Sequence, residues 1–309
     1  MKRSEKALRY IWTNKHLYLM LLPVIVYYLV FKYYPMYGSI IAFKEFKLSK
    51  GIFNSPWVGF KYFEKLMKSK EFIQVFKNTL VISIMNLCFS FPVPIIMSLM
   101  INEVKNNKMK RMIQTIIYVP YFITWSVMGG IVNLFLSPTI GLPAKVSNLL
   151  GIAPQNTIYI MGNEGLWLLV YIFTEIWKNA GWGTIIYMSA ITSINPELYE
   201  SAKLDGANKL KQIIYITLPQ ITPLIASMFI LKLGKIASVG FEQAYALQNN
   251  MVLSIAEVIS TYEYKIGLAQ NIQYSYSTAI GLFKGAIGLV MLAVGNIVIK
   301  RISKGENGV

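Results

Sequence analysis

Cysteine and histidine are almost missing from this sequence, and acidic residues are scarce. The single cysteine, Cys88, stands inside an apolar run, which excludes an intrachain disulfide and a cysteine metal cluster. The single histidine, His16, excludes a two-histidine zinc site, and its place at the edge of an apolar run reads as interfacial. No Gly-x-x-x-x-Gly-Lys-Ser/Thr loop occurs, so nothing here cradles nucleotide phosphates. A Ser-His-Asp site and paired carboxylates of the kind that cleave glycans are equally unsupported. Charged residues make up only 14% of the 309, against 55% hydrophobic, a balance too apolar for a soluble domain.

The charge that is present has one sign. Lys and Arg number 30 and Asp and Glu 14, a formal net charge of +16. The cations are scattered between apolar runs instead of forming an aromatic-studded basic face, so nucleic acid is not the expected partner. Membrane lipid headgroups and the orientation of spans account for them better.

The runs predict an all-α integral membrane protein with six transmembrane helices. Lys2, Arg3, Lys6, Arg9 and Lys15 precede the first, at 17–34, and no small-residue cleavage pattern follows it, so it reads as a retained span. Residues 1–16 then form a cytoplasmic segment, and 35–78 an outer segment. The remaining spans, at 79–101, 112–136, 166–191, 221–241 and 277–299, make a five-helix core over 79–299, with 300–309 a cytoplasmic tail. Both termini fall inside. The basic 103–111 loop agrees with that orientation, whereas the lysine-rich 38–77 conflicts with it. Within the outer segment Phe60, Phe63, Leu66 and Met67 recur at helical spacing and predict a surface helix.

Polar groups inside the spans invite two readings each. Glu175 and Lys178 stand three apart and pair on one helix face, either lining a hydrated path or packing between helices. Lys232, Lys235 and Lys284 are expected to snorkel to an interface. Pro92, Pro94 and Pro120 predict kinks. Gly281 and Gly285, with Gly288 nearby, predict a close helix approach. Tyr121, Trp125, Tyr171, Trp177 and Trp182 suit stacking on sugar rings or an interfacial belt.

The most specific stretch is polar, at 194–219. Asn195 before Pro196 reads as a helix cap, with Leu198, Tyr199 and Ala202 on one face. Asp205-Gly206 breaks that helix. A second helix, with Leu210, Ile213, Ile214 and Thr217 on one side and Lys209, Lys211 and Gln212 on the other, is expected to end before Pro219. Glu200-Ser201-Ala202, then Asp205-Gly206-Ala207, then Leu218-Pro219 resemble the cytoplasmic "EAA" coupling loop of permease subunits in binding-protein-dependent ABC importers. Ser201 stands where that family usually has alanine. Trp57-Val58-Gly59-Phe60 and Trp177-Lys178-Asn179-Ala180-Gly181 are similar to the carbohydrate importers of that family, and the stretches at 261–268 and 274–283 resemble their subgroup handling oligosaccharides and polysaccharide fragments.

The resemblance implies a bacterial cytoplasmic-membrane protein that works with a second, homologous permease, two cytoplasmic ATPase subunits and an extracellular sugar-binding protein. ATP and Mg would be bound by the ATPases, with no cofactor on this chain. Glu200, Ser201, Ala202, Asp205, Gly206, Ala207, Leu218 and Pro219 would form the ATPase contact. Glu175, Trp177, Asn179, Tyr121 and Tyr276 are the candidates for a substrate path. With lysines but no arginine in the spans, a neutral or weakly charged sugar is expected, with any carboxylates read chiefly by the binding protein. Rival readings are an ABC permease for another solute class, and a stand-alone channel or scaffold.

Overall fold

The computed structural model describes residues 10, 12–151, 157–269 and 272–303. They fall in two compact units, one within Met1–Leu66 and Ile266–Leu282, the other within Met67–Lys265 and Phe283–Val309. Among the described residues the only strand pairing is an isolated antiparallel bridge, Lys44 to Trp57. Everything else regular is helical. The principal helices are α1 (Lys15–Phe43), α2 (Lys61–Lys68), α3 (Lys70–Asn102), α4 (Asn107–Phe122), α5 (Trp125–Phe135) and α6 (Leu142–Leu149). There follow α7 (Glu164–Thr192), α8 (Pro196–Leu204), α9 (Lys209–Gly234), α10 (Phe241–Leu247), α11 (Ile259–Tyr264) and α12 (Tyr274–Ser303).

Four of these, α1, α3, α9 and α12, are long and apolar enough to cross a membrane, and α4 with α5 make a fifth if counted as one broken span. The six expected spans are therefore not all met by that measure. The 29-residue α7 has the length, but Glu175 and Lys178 interrupt its apolar character. Nor is the third span a single kinked helix. α4 and α5 meet at 98°, and Thr124 caps the restart by accepting from Val127 N. Pro120 sits in a tight 3-10 turn, Val119–Phe122, just before the break.

Three other prolines do not break their helices. Pro35, Pro92 and Pro219 each follow a wide π turn by two residues, the turns being Leu29–Tyr33, Asn86–Ser90 and Ile213–Thr217. Proline has no N–H to donate and its ring collides with the carbonyl four residues back. A π turn displaces that carbonyl, because the residue before each proline donates one position further back. Tyr34 bonds Leu29 O, Phe91 bonds Asn86 O and Leu218 bonds Ile213 O. The expectation that the helix after residue 209 stops before Pro219 is thus corrected: α9 runs through Pro219 without interruption to Gly234.

The first unit explains much of the lysine-rich outer segment. Phe43 packs against Phe60 and Phe63, with ring centroids 5.5 and 5.3 Å apart, and Leu66 on α2 is fully buried. Lys44 is buried as well, donating to the carbonyls of Ile52 and Phe53 at 2.8 and 3.1 Å and lying 4.8 Å from the Trp57 ring centre. Lys65 bonds Gln273 at 2.8 Å and sits 4.5 Å over the Tyr276 ring. Lys61 approaches Glu45 at 3.6 Å. Lys44, Lys61 and Lys65, three of the eight lysines at 38–77, thus have local partners.

In the second unit, buried Trp167 and Tyr171 of α7 pack in one core with Leu247 of α10 and Val252, Ala256 and Val258. Trp167 Nε1 donates to Leu247 O at 2.9 Å, and Gln243 Nε2 to Tyr171 O at 2.8 Å. Asn78 of α3 reaches the carbonyls of Ser254 and Glu257 at 2.8 and 3.1 Å. The close helix approach falls one turn later than the sequence suggests. Gly288, not Gly285, meets α9, where a Cβ would come within 2.6 Å of Gly234 O, whereas Gly285 faces open space.

Candidate functional site

The polar knob between α7 and α9 is built almost wholly from neighbouring residues. Asn195 caps α8, its side chain accepting from Glu197 N at 3.0 Å, with Pro196 in the first turn. Gly206 ends α8 at φ +77°, in the left-handed region where a side chain is strained. Gly206 N bonds Lys203 O at 3.1 Å and Ala207 N bonds Ala202 O at 2.8 Å, the paired closure of a Schellman turn. Asn208 then starts α9 by accepting from Lys211 N at 2.9 Å.

The knob is fastened beneath and bare above. Tyr199 Oη lies 2.8 Å from Thr217 Oγ1, tying α8 to the base of α9, and Lys209 pairs with Glu103 at 2.8 Å. The inner face of the second helix is not the one the sequence suggests. Gln212, placed on the polar side by pattern, is buried and donates to Ala207 O at 2.9 Å. Leu210 and Ile214, placed on the apolar side, are exposed, as are Leu204 and Tyr215. Backbone satisfaction turns Gln212 inward, while Leu204 is 90% exposed. Glu200, Ser201, Asp205 and Gly206 are exposed, Ala202 and Ala207 half-buried. Leu218 and Pro219 lie inside α9, just past its π turn.

A second feature opens among α3, α7 and α9. Two adjoining cavities of about 230 and 460 Å³ share Glu175, Asn179, Lys232 and Lys235. Asn86 and Ser90 of the α3 π turn border them, with Ser90 Oγ donating to Asn86 Oδ1 at 3.3 Å. Tyr121 and Trp182 lie on the wall in a stacked pair, centroids 4.8 Å apart and planes 9° apart. The charged lining is two lysines and one carboxylate. Such a chamber offers hydrogen bonds, flat aromatic faces and a net positive charge.

The intramembrane charges find other partners than the sequence suggests. Glu175 does not pair with Lys178 but approaches Lys232 at 3.9 Å. Lys178 turns to the break between α4 and α5, where its ammonium donates to Tyr121 O at 2.8 Å and to Ile123 O. It also lies 5.5 Å from the ring centres of both Tyr121 and Trp125. Carbonyls freed by a helix break need donors when no water is present, and Lys178 is that donor. Of the lysines expected to snorkel, Lys232 and Lys235 line the cavity and Lys284 pairs with Glu263 at 2.5 Å.

Glu175, Asn179 and Tyr121 are therefore brought together, and Trp177 is not. It lines an apolar groove with Met128, Phe135 and Phe173. Tyr276 belongs to the first unit and is buried beside Tyr62 and Lys65. Its neighbour Ser275 donates to Lys44 O at 2.6 Å. Of the other residues lining the chamber, Trp182 is among the aromatics the sequence offers for stacking, whereas Asn86, Ser90 and Lys235 are not among the sequence candidates for a path. Asn86 and Ser90 do leave a signal, two polar residues four apart in an apolar run.

The family described as "Binding-protein-dependent transport system inner membrane component" matches residues 90–304. The chain is 42% identical over 308 residues to the polygalacturonan/rhamnogalacturonan transport system permease protein YteP of Bacillus subtilis (strain 168), covering 100% of this chain and 94% of that one. It is 37% identical over 291 residues to protein LplB of the same organism, covering 94% and 90%. A crystal structure of a bacterial ABC transporter involved in the import of the acidic polysaccharide alginate contains a chain 40% identical, with TM-score 0.86, covering 96% of this chain and 99% of that one. With a helical multi-pass architecture, a polar chamber and an exposed two-helix knob, this chain belongs to the inner membrane components of binding-protein-dependent transport systems.

Proposed function

We propose that this chain is the permease subunit of an ABC importer that moves acidic oligosaccharides or polysaccharide fragments into the cell. One observation carries the reading. α9 forms the knob at its base, Lys209–Thr217, and carries Lys232 of the polar chamber at its other end. The 23 positions from Lys209 to Lys232 span roughly 35 Å at the helical rise, so a push at the knob reaches the chamber along one rod. Two cytoplasmic ATPase subunits, binding ATP and Mg, would hold the knob in a groove, with Glu200 and Asp205 making polar contacts and Leu204 an apolar one. Their closure would rock α9 between two arrangements, opening the chamber to one side of the membrane and then the other.

In this reading α1, α3, the α4–α5 pair, α7, α9 and α12 make six crossings, with both termini in the cytoplasm. A second, homologous permease closes the open side of the chamber, and an extracellular binding protein delivers the sugar. Support for an acidic cargo comes from the excess of lysine over carboxylate in the chamber, from a relative whose name specifies polygalacturonan, and from the similar solved transporter involved in the import of alginate. That reverses the neutral preference drawn from the lack of arginine. Tyr121 and Trp182 supply the stacking surface, and Asn86, Asn179 and Lys235 the polar contacts.

The test is uptake by the complete transporter in proteoliposomes. Lys235→Glu should lower uptake of oligogalacturonides about tenfold or more, the scale of one charge-assisted hydrogen bond, with basal ATP hydrolysis retained. Equal uptake by wild type and variant removes Lys235 from the path. Orientation is checked separately in a Cys88→Ala background. A cysteine at Lys50 should react with an impermeant thiol reagent outside, and one at Lys203 only after the membrane is opened.

A further inference from the structure

The face of α7 turned away from the chamber carries an apolar track. A groove of about 570 Å³ lies between α5 and α7, lined by Ile131, Phe135, Leu169, Phe173 and Trp177 among others. Its one polar lining residue, Thr174, presents no free hydroxyl, since its Oγ1 donates to Val170 O and Tyr171 O. At one end the groove shares Ile131 and Phe135 with a cavity of about 230 Å³ that is bordered by Lys145 of α6. At the other it shares Phe173 and Trp177 with a cavity of about 220 Å³ reaching Gly181.

From Leu169 to Gly181 the track follows α7 for roughly 18 Å at the helical rise, close to one leaflet of a hydrocarbon core about 30 Å thick. The groove exists because the third span is broken. α5 has 11 residues, about 16 Å of helix, and its sharp turn from α4 leaves the flank of α7 uncovered. Lys145 pairs with none of the described carboxylates.

We infer that this track is a binding site for one anionic phospholipid, its acyl chain along Phe173 and Trp177 and its phosphate at Lys145. The inference rests on the proposed transport reading in two respects. That reading places Lys145 at the outer surface, and it places the second permease against the chamber. Phe173 and Trp177 are each two residues from Glu175, some 200° around the helix at 3.6 residues per turn, so a permease closing the chamber leaves this face to lipid. The charge favours a phospholipid over a neutral chain: a single unpaired cation at the mouth of an apolar track complements one phosphate.

The experiment uses the assembled transporter in nanodiscs of equal phosphatidylglycerol and phosphatidylcholine. A photoreactive p-benzoylphenylalanine replaces Phe173, with the same group at Leu289 as a control, an exposed position on α12. Irradiation should give a phospholipid adduct at Phe173 enriched several-fold in phosphatidylglycerol relative to Leu289, and Lys145→Gln should remove the enrichment. Placing the group at Ile131 serves if the Phe173 variant fails to assemble. A crosslink to the second permease, or an adduct with the same lipid ratio as at Leu289, overturns the inference. Stimulation of ATP hydrolysis by loaded binding protein, measured on the unsubstituted complex in the same discs, reports on the transport reading independently of the adduct.

Discussion

The knob at 195–219 and the middle of α7 satisfy their polar groups in opposite ways. In the knob the caps and turns close on near neighbours: Asn195 serves Glu197, Asn208 serves Lys211, and the closing bonds of α8 join Gly206 to Lys203 and Ala207 to Ala202, with the Lys209–Glu103 pair a distant tie. In α7 the partners are remote. Lys178 serves Tyr121 and Ile123 across 57 and 55 positions, and Glu175 faces Lys232. Local closure makes a piece that holds its own shape, as the proposed coupling role requires. Remote closure makes α7 a strut that fixes neighbouring helices around the chamber.

The contrast is tested hardest at Lys178. Lys178→Met keeps the apolar stem but leaves the carbonyls of Tyr121 and Ile123 without a donor, and each unsatisfied group costs about 1–3 kcal/mol. The melting midpoint of the purified transporter should fall by on the order of 10 °C, taking about 2–4 °C per kcal/mol for chains of this size. Lys178→Arg keeps donors and should lose less. A Lys178→Met transporter that melts with wild type would show that the break between α4 and α5 holds itself, and α7 would no longer count as the strut.

A smaller and different effect is expected at Gly206. Gly206→Val forces a β-branched side chain into the left-handed region, at a cost of about 1–2 kcal/mol. Because the strain is confined to the knob, insertion and melting should stay near wild type while ATP hydrolysis loses several-fold of its response to loaded binding protein. Gly206→Asn, which tolerates that region better, should retain most of the response. If Gly206→Val melts the whole transporter, the knob is not a self-contained piece.

The same division decides what is legible in the sequence. The Asn195 cap and the Gly206 bend are written in residues a few positions apart, so pattern reads them correctly. Hydrophobic runs are also local signals, and four of the six apolar stretches lie inside single helices of the structure, whereas 112–136 is divided between α4 and α5 and 221–241 runs past the end of α9 at Gly234. Three kinds of feature escape. Pro219 reads as a stop because the compensating π turn has no sequence mark. Gln212 reads as outward because amphipathic pattern does not reveal a backbone carbonyl waiting inside. The partners of Glu175, Lys178, Lys232 and Lys284 escape because three-dimensional neighbours, not helical spacing, assign them. Trp177 and Asn179 show the limit most plainly: two residues apart on one helix, they face an apolar groove and a polar chamber respectively.

The finest test lies where the knob meets the rod. Tyr199 and Thr217 form the hydrogen bond that joins α8 to the base of α9, a contact that is neither a cap nor a turn. If the knob drives α9, this bond helps carry the push. Tyr199→Phe removes one hydroxyl and leaves the ring, a loss of about 1 kcal/mol or roughly fivefold in coupling. ATP hydrolysis in the presence of loaded binding protein should fall by that modest factor, with basal hydrolysis unaltered. Thr217→Val should do the same. Since both remove one shared interaction, the double variant should be no worse than either alone, the signature of direct coupling in a double-mutant cycle. Losses that simply multiply would mean that the hydroxyls act separately, and that α8 moves α9 through the backbone at Gly206 alone.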